Sequence, residues 1–444
     1  MRRGRLAPAS IGASLILSGG GVAGLLWQKA DARATVTAPW LALALAGWGL
    51  AVWLAGRTPS FDDRWILVAG AIELVLAVAR PLHYSGDLWS YAMYGRIVEH
   101  YHANPYTRVP SAFRGDPIMH RVSRGWQATP SYYGAGFTLL SALVMGVVGT
   151  SAIAVRVAFQ AITAVCLMAS ALLVRRRVPT AALVALLLNP LLIVWVVNGG
   201  HTDTIVALAL VGCALLLPRR PMVAGLAMAA ALLVKLIVGF AAVGAFAWLW
   251  RRSRRDAVRF TAVTAAPVLA LNALFGLRAA LTPLLHGAHQ ESRVSPWELV
   301  THFRVFANGV DHLGPWPAVG FVVVSIAFLA RRSGAEAPSA VILAGVVGYL
   351  VAGLYILPWY VAWAMPLAVL EWRSQLAWLV VGESVLLAVT YAYRTVPHPG
   401  GLDHALVAVA VVTRSLLAAV AVGVVVFEGR RWAYHRRGVR GGHA

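Results

Sequence analysis

Long apolar runs alternate with short polar connections along this chain, and the runs match bilayer crossings better than the apolar stripes of surface helices. They lie at about 8–27, 39–56, 65–80, 152–174, 179–198, 203–217, 222–236, 237–250, 260–276, 315–330, 339–357, 358–372, 376–393 and 405–427. The pattern predicts an all-α polytopic membrane protein, with about 13–14 transmembrane helices in one integral-membrane domain over 1–444. The run at 134–149, GAGFTLLSALVMGVVG, is set apart as a short, glycine-rich re-entrant or interfacial segment. Counting it as a crossing would put the arginines at 175–177, and every later basic cluster, opposite the N-terminal arginines. The basic and then apolar start reads as an uncleaved signal anchor, because further crossings follow at once.

Composition agrees with this reading. The 444 residues are 59% hydrophobic and only 12% charged, with a formal net charge of +21. The basic residues stand at the ends of apolar runs rather than on one face of a domain, so they orient the chain and meet anionic lipid, and nucleic acid is not implied as a partner. By the positive-inside rule the N-terminus, most short connections and the basic tail at 428–444 are cytoplasmic. Two long loops, 81–133 and 277–314, then face outward, and the first of them is expected to be catalytic. Both cysteines, Cys166 and Cys213, fall within apolar runs, which argues against a disulfide framework. The expected arrangement is a multi-pass membrane protein with both termini cytoplasmic and the polar chemistry on the opposite face.

Three polar blocks break the apolar text. In DLWSYAMYGRIVEHYHANPY (87–106) nothing interrupts a helix from Leu88 to about His102, and Asn104 before Pro105 stops it. Helical spacing puts Asp87, Tyr91, Tyr94, Gly95 and Val98 on one side, predicting a short amphipathic helix at the outer surface. Asp87 is expected both to cap this helix and to serve as a general base. In NPLLIVWVVNGGHTD (189–203), His201 and Asp203 flank a turn marked by Asn198, Gly199 and Gly200; they contact substrate, or Asp203 simply starts the next span. A metal there needs a third ligand that no spacing supplies, so none is assigned. The third block is LPWYVAWAMP (357–366).

Together, in this order, the three blocks resemble the polyprenol-phosphomannose-dependent mannosyltransferases of actinobacteria. These are integral-membrane glycosyltransferases of GT-C fold that build phosphatidylinositol mannosides, lipomannan and lipoarabinomannan. The resemblance implies that the acidic residue of the first outer loop, Asp87, is the base, with Tyr91, Gly95, Pro105 and Tyr106 matching the rest of that motif. Gly199, Gly200, His201, Thr202 and Asp203 match a Gly-Gly-His-Asn-Asp-like block, with Thr where Asn is common. Pro358, Trp359, Tyr360, Trp363 and Pro366 match a Pro-Trp-Tyr block. Where such proteins often carry Tyr-Gly-Pro, this chain has Tyr133, Gly134 and Ala135.

The implied reaction is inverting transfer of a sugar, mannose by resemblance, from a polyprenyl-phosphate donor to a glycolipid or lipoglycan acceptor. The leaving phosphate needs cations placed in advance. Arg96, Arg108, Arg293, Arg304, His201 and His302 are candidates from the outer face. Lys235, one of two lysines, lies near the outer end of a span; it faces a polar cavity, snorkels, or pairs with Glu73 or Glu383. Trp359, Tyr360 and Trp363 either stack on sugar or lipid, or anchor the interface. The alternative function is a transporter or flippase for an envelope precursor, which would ordinarily show duplicated halves; none is visible.

Overall fold

The computed structural model describes residues 8–29, 32, 34–58, 61–287, 292, 320, 337–353, 355–394, 400–409, 411–413 and 415–416. Among them every regular element is helical. A hairpin of α1 (Pro8–Trp27) and α2 (Ala34–Arg57) leads to α3 (Asp63–Ala79). The first long loop holds α4 (Asp87–Glu99) and the single turn α5 (Arg124–Gln127), and returns through α6 (Ala135–Val148). Next come α7 (Ala152–Val174) and α8 (Thr180–Leu187). Pro190 breaks α8, the side chain of Asn189 accepts the Leu191 N–H at 3.0 Å, and a π-helical turn over Leu192–Val197 carries the chain on. The rest comprises α9 (Asp203–Leu216), α10 (Pro221–Val234), α11 (Gly239–Trp250), α12 (Arg254–Ala273), α13 (Leu277–Gly287), α14 (Pro338–Ala352), α15 (Val361–Leu370) and α16 (Gln375–Arg394).

Burial separates an axis from a shell. The segment Thr180–Val197 is 94% buried, whereas the other long apolar helices are 39–50% buried. The outward faces of the surrounding helices carry Ile16, Val75, Val147, Ile153 and Val165, all strongly exposed. A surface this apolar suits hydrocarbon and would be costly in water, at about 25 cal/mol per Å². The protein is therefore a polytopic membrane protein.

By length and composition five helices reach across a bilayer, and several of the expected spans are shorter apolar helices. One of these, α15, has ten residues and is buried from Val361 to Val369, so it belongs to the protein interior rather than to the lipid boundary. The set-apart segment forms α6, and its 14 residues equal those of α9 and α10, which were counted as spans. Shortness therefore does not distinguish it from them. The run at 315–330 and the tail at 428–444 lie outside the described residues.

The helix at the start of the first loop departs further from expectation. It ends at Glu99, and from Leu88 to Ile97 all its residues but Trp89 are buried. It is an enclosed helix, not an amphipathic one lying on the surface. The reason is tertiary: α6 packs beneath it, so closely that a Cβ on Gly95 would come 2.5 Å from the Ser141 carbonyl oxygen. The loop that follows folds back over it, pinned where Tyr94 Oη donates to the Thr129 carbonyl at 2.9 Å.

Candidate active site

Four chain segments meet at one place: the start of α4, the turn at 198–202 that leads into α9, the break between α10 and α11, and the 3-10 turn Pro358–Tyr360 before α15. Each brings a chemical group because a helix begins or ends there. The 198–202 turn is held by Asn198, whose Oδ1 accepts the His83 N–H at 3.0 Å while its Nδ2 donates to the Ala77 and Pro81 carbonyls at 3.0 and 2.9 Å. Gly200 takes φ +65°, and a Cβ there would stand 2.5 Å from Leu88 Cδ1. Only glycine meets both demands.

Asp87 is the first residue of α4, and the cap position falls to Gly86, with no side-chain cap hydrogen bond. The expectation that Asp87 caps its helix is thereby corrected. Its carboxylate is aimed away from its own backbone: Oδ1 accepts from Trp126 Nε1 at 3.1 Å, and Oδ2 lies 4.0 Å from His201 Nδ1. The side chain is 13% exposed. Burial pushes the Asp87 carboxyl up to about 6, against the opposing pull of Lys235 and of the Trp126 N–H.

His201 and Asp203, two apart in sequence, turn to different partners. The His201 imidazole is fully buried, shares a 3.2 Å hydrogen bond with Tyr91 Oη through Nδ1, and stacks on Trp359 with ring centres 3.7 Å apart. Burial, with Lys235 nearby, holds it well below the ordinary histidine range, so it is neutral. Asp203 is also fully buried, and its oxygens accept from Lys235 Nζ at 2.9 and 3.1 Å and from Trp363 Nε1 at 2.6 Å. Lys235 thus pairs with Asp203 rather than with Glu73 or Glu383, and its ammonium lies 4.6 Å from the Tyr360 ring centre and 5.5 Å from that of Trp363.

Among the described residues the site therefore holds two carboxylates and one ammonium, with a neutral imidazole beside Asp87. Asp203 accepts three hydrogen bonds from two donors, one of them charged; Asp87 meets the neutral donors of Trp126 and Ser85. A buried ion pair with extra donors is stable as a unit and poor at taking protons. The arrangement leaves Asp87 as the group equipped for base chemistry.

Other expected residues fall differently. Arg96 is turned away from Asp87: its Nε donates to buried Asp116 Oδ2 at 2.6 Å, and Tyr101 Oη donates to the same oxygen at 3.0 Å. Through that pair it braces the loop. Trp359, Tyr360 and Trp363 are at most 7% exposed, so they do not anchor the membrane interface. One face of each ring is already covered, Tyr360 against Trp363 at 4.2 Å and Trp359 against His201. Arg293, His302 and Arg304 lie outside the described residues. Trp126, Asp116, Asn198 and Tyr133, which packs edge-on to Tyr91 at 4.9 Å, were not singled out as site residues in the sequence. Only the presence of a Trp in the polar stretch SRGWQATP could have drawn attention.

Comparison with protein families finds a match to the model described as alpha-(1->6)-mannopyranosyltransferase, N-terminal domain, over residues 6–252. Asp87, Tyr91, Trp126, His201, Asp203 and Lys235 all lie within that span. No curated protein and no solved structure matches the chain.

Proposed function

The chain belongs to the alpha-(1->6)-mannopyranosyltransferase family, and from that premise we propose a specific reaction for this mannosyltransferase. It moves mannose from a polyprenyl-phosphate donor to a mannose-bearing glycolipid or lipoglycan acceptor, with inversion, on the extracytoplasmic side of a bacterial plasma membrane. The linkage in the family's description supports a primary 6-hydroxyl as the acceptor group. Asp87 Oδ2 takes the proton of that hydroxyl as its oxygen attacks the anomeric carbon. The bond from that carbon to the phosphate oxygen breaks, and the polyprenyl phosphate leaves with the electron pair.

Lys235 is the fixed positive charge nearest this chemistry, held by Asp203 and walled by Tyr360 and Trp363. A cation placed in advance stabilises charge as it develops on the leaving phosphate, so no firmly bound metal is invoked. Neutral His201 and Tyr91 line the approach to Asp87 and hydrogen-bond the sugar. The membrane domain carries both termini on the cytoplasmic side, so the lipid donor reaches the site along the apolar helix faces.

The observation that carries this reading is the contrast in partners: one buried carboxylate is paired with an ammonium, and the other meets neutral donors. Membranes containing wild type or Asp87→Ala are given labelled polyprenyl-phosphate mannose. Label should enter glycolipid with wild type and fall by about 10²- to 10⁴-fold with the variant at equal yield. Equal incorporation would sink the assignment of Asp87. Label crossing the bilayer with no new glycosidic bond would favour a transporter.

A further inference from the structure

The residue that fixes Asp87 carries no charge and sits outside every motif singled out in the sequence. Trp126 belongs to α5, whose neighbours Ser123, Arg124 and Gly125 are exposed, yet its own side chain is half-buried. Its indole meets Tyr132 edge-on at 6.0 Å and points Nε1 at Asp87 Oδ1, 3.1 Å away. It is the larger of two neutral side-chain donors acting on that carboxylate, the Ser85 hydroxyl being the other. We infer that Trp126 is a positioning residue for Asp87, holding Oδ1 so that Oδ2 stays turned toward the acceptor hydroxyl.

The inference rests on Asp87 being the base. An indole N–H donates and cannot accept, so a proton taken by Asp87 goes to Oδ2. A bond to an ionised acceptor is among the stronger hydrogen bonds, enough to hold a short side chain in one rotamer. The strap that carries Trp126 is itself fixed at both ends. Upstream, Asp116 is gripped by Arg96 and Tyr101 and accepts the Ile118 N–H at 2.8 Å. Downstream, Tyr94 Oη holds the Thr129 carbonyl, and the Ser131 N–H donates to the Pro105 carbonyl at 2.9 Å. The Arg96–Asp116 pair thus acts on the site through the strap.

The charged and titratable groups around Asp87 are His201 from the turn, Asp203 from α9, Lys235 from the end of α10, Tyr91 and Tyr94 from α4, and Tyr133 and Tyr355. A donor to the ionised form lowers the pKa of a base, so its removal must raise it. Full-length Trp126→Phe is assayed in membranes with a short-chain polyprenyl-phosphate mannose as donor. The expected result is kcat lowered about 10-fold, donor KM within about two-fold, and the acid limb of kcat moved to higher pH by about one unit. Trp126→Gln, which restores an N–H without the ring, should return the limb to its wild-type position.

An unmoved limb in Trp126→Phe, whatever the rate, overturns the inference. If Trp126→Phe fails to elute as a monodisperse species, Trp126→Leu, which also lacks the N–H, takes its place: a limb moved to higher pH supports the inference, and an unmoved limb overturns it. Asp87→Asn, run alongside, separates the two failures. Turnover in that variant removes the base assignment itself; an inactive Asp87→Asn beside an unmoved limb in Trp126→Phe removes only Trp126.

Discussion

Asp87 and Asp203 start from the same local position. Each is the first residue of its helix, at the positive end of the helix dipole, and each follows a cap residue whose side chain makes no capping bond. Their surroundings then diverge. Asp203 is sealed against Lys235 and Trp363, whereas Asp87 keeps a partly exposed face and meets the neutral donors of Trp126 and Ser85. A helix start makes a carboxylate comfortable; the neighbours that arrive from elsewhere determine whether it can still accept a proton.

The largest expected effect breaks the comparison at Asp87. Asp87→Asn keeps the shape and loses the base, so turnover should fall by about 10²- to 10⁴-fold while membrane yield and melting temperature hold. Near-normal turnover would mean that the open carboxylate is idle.

At the other member the expected effect is on stability. Lys235→Met leaves Asp203 buried without its cation, which should cost about 3–5 kcal/mol and appear as a lower melting temperature. The double variant Lys235→Met with Asp203→Asn should recover most of that loss, because the uncompensated charge is gone. If the double variant is no more stable than Lys235→Met alone, the two residues do not act as a pair.

The pH profile sharpens the contrast without mutation. Asp87 works ionised and its carboxyl is raised to about 6, so kcat should fall as pH drops through that value and be level above it. A limb near the ordinary aspartate value of about 4 would show that water reaches the carboxylate freely.

The smallest effect concerns the departure from the Tyr-Gly-Pro pattern. Ala135 is the first residue of α6, after the cap Gly134. Proline is tolerated at that position because its missing N–H has no partner inside the helix. Ala135→Pro should therefore change stability by less than about 0.5 kcal/mol and leave turnover intact.

Much of the architecture was legible because it is local. Apolar runs and proline breaks located most of the helices, and Asp87, His201, Asp203 and Lys235 stood out as polar residues in an apolar text. What failed was the prediction of surroundings. The helix after Asp87 looked amphipathic from its own residues, and nothing in them told that α6 and the returning loop would cover its other side. The partner of Arg96 was not legible either, because Asp116, 20 residues on, is an ordinary loop acid in the sequence.

By itself, then, the sequence determined an all-α membrane protein of this mannosyltransferase family and the few groups able to do chemistry in it, since hydropathy and helix signals act over neighbouring residues. Which carboxylate is neutralised and which stays open was decided by tertiary structure alone. Lys235 reaches Asp203 across 32 residues, Trp126 reaches Asp87 across 39, Tyr91 meets His201 across 110 and Trp363 meets Asp203 across 160. Such pairings depend on how helices cross and rotate against one another, and that geometry is set by packing over the whole fold.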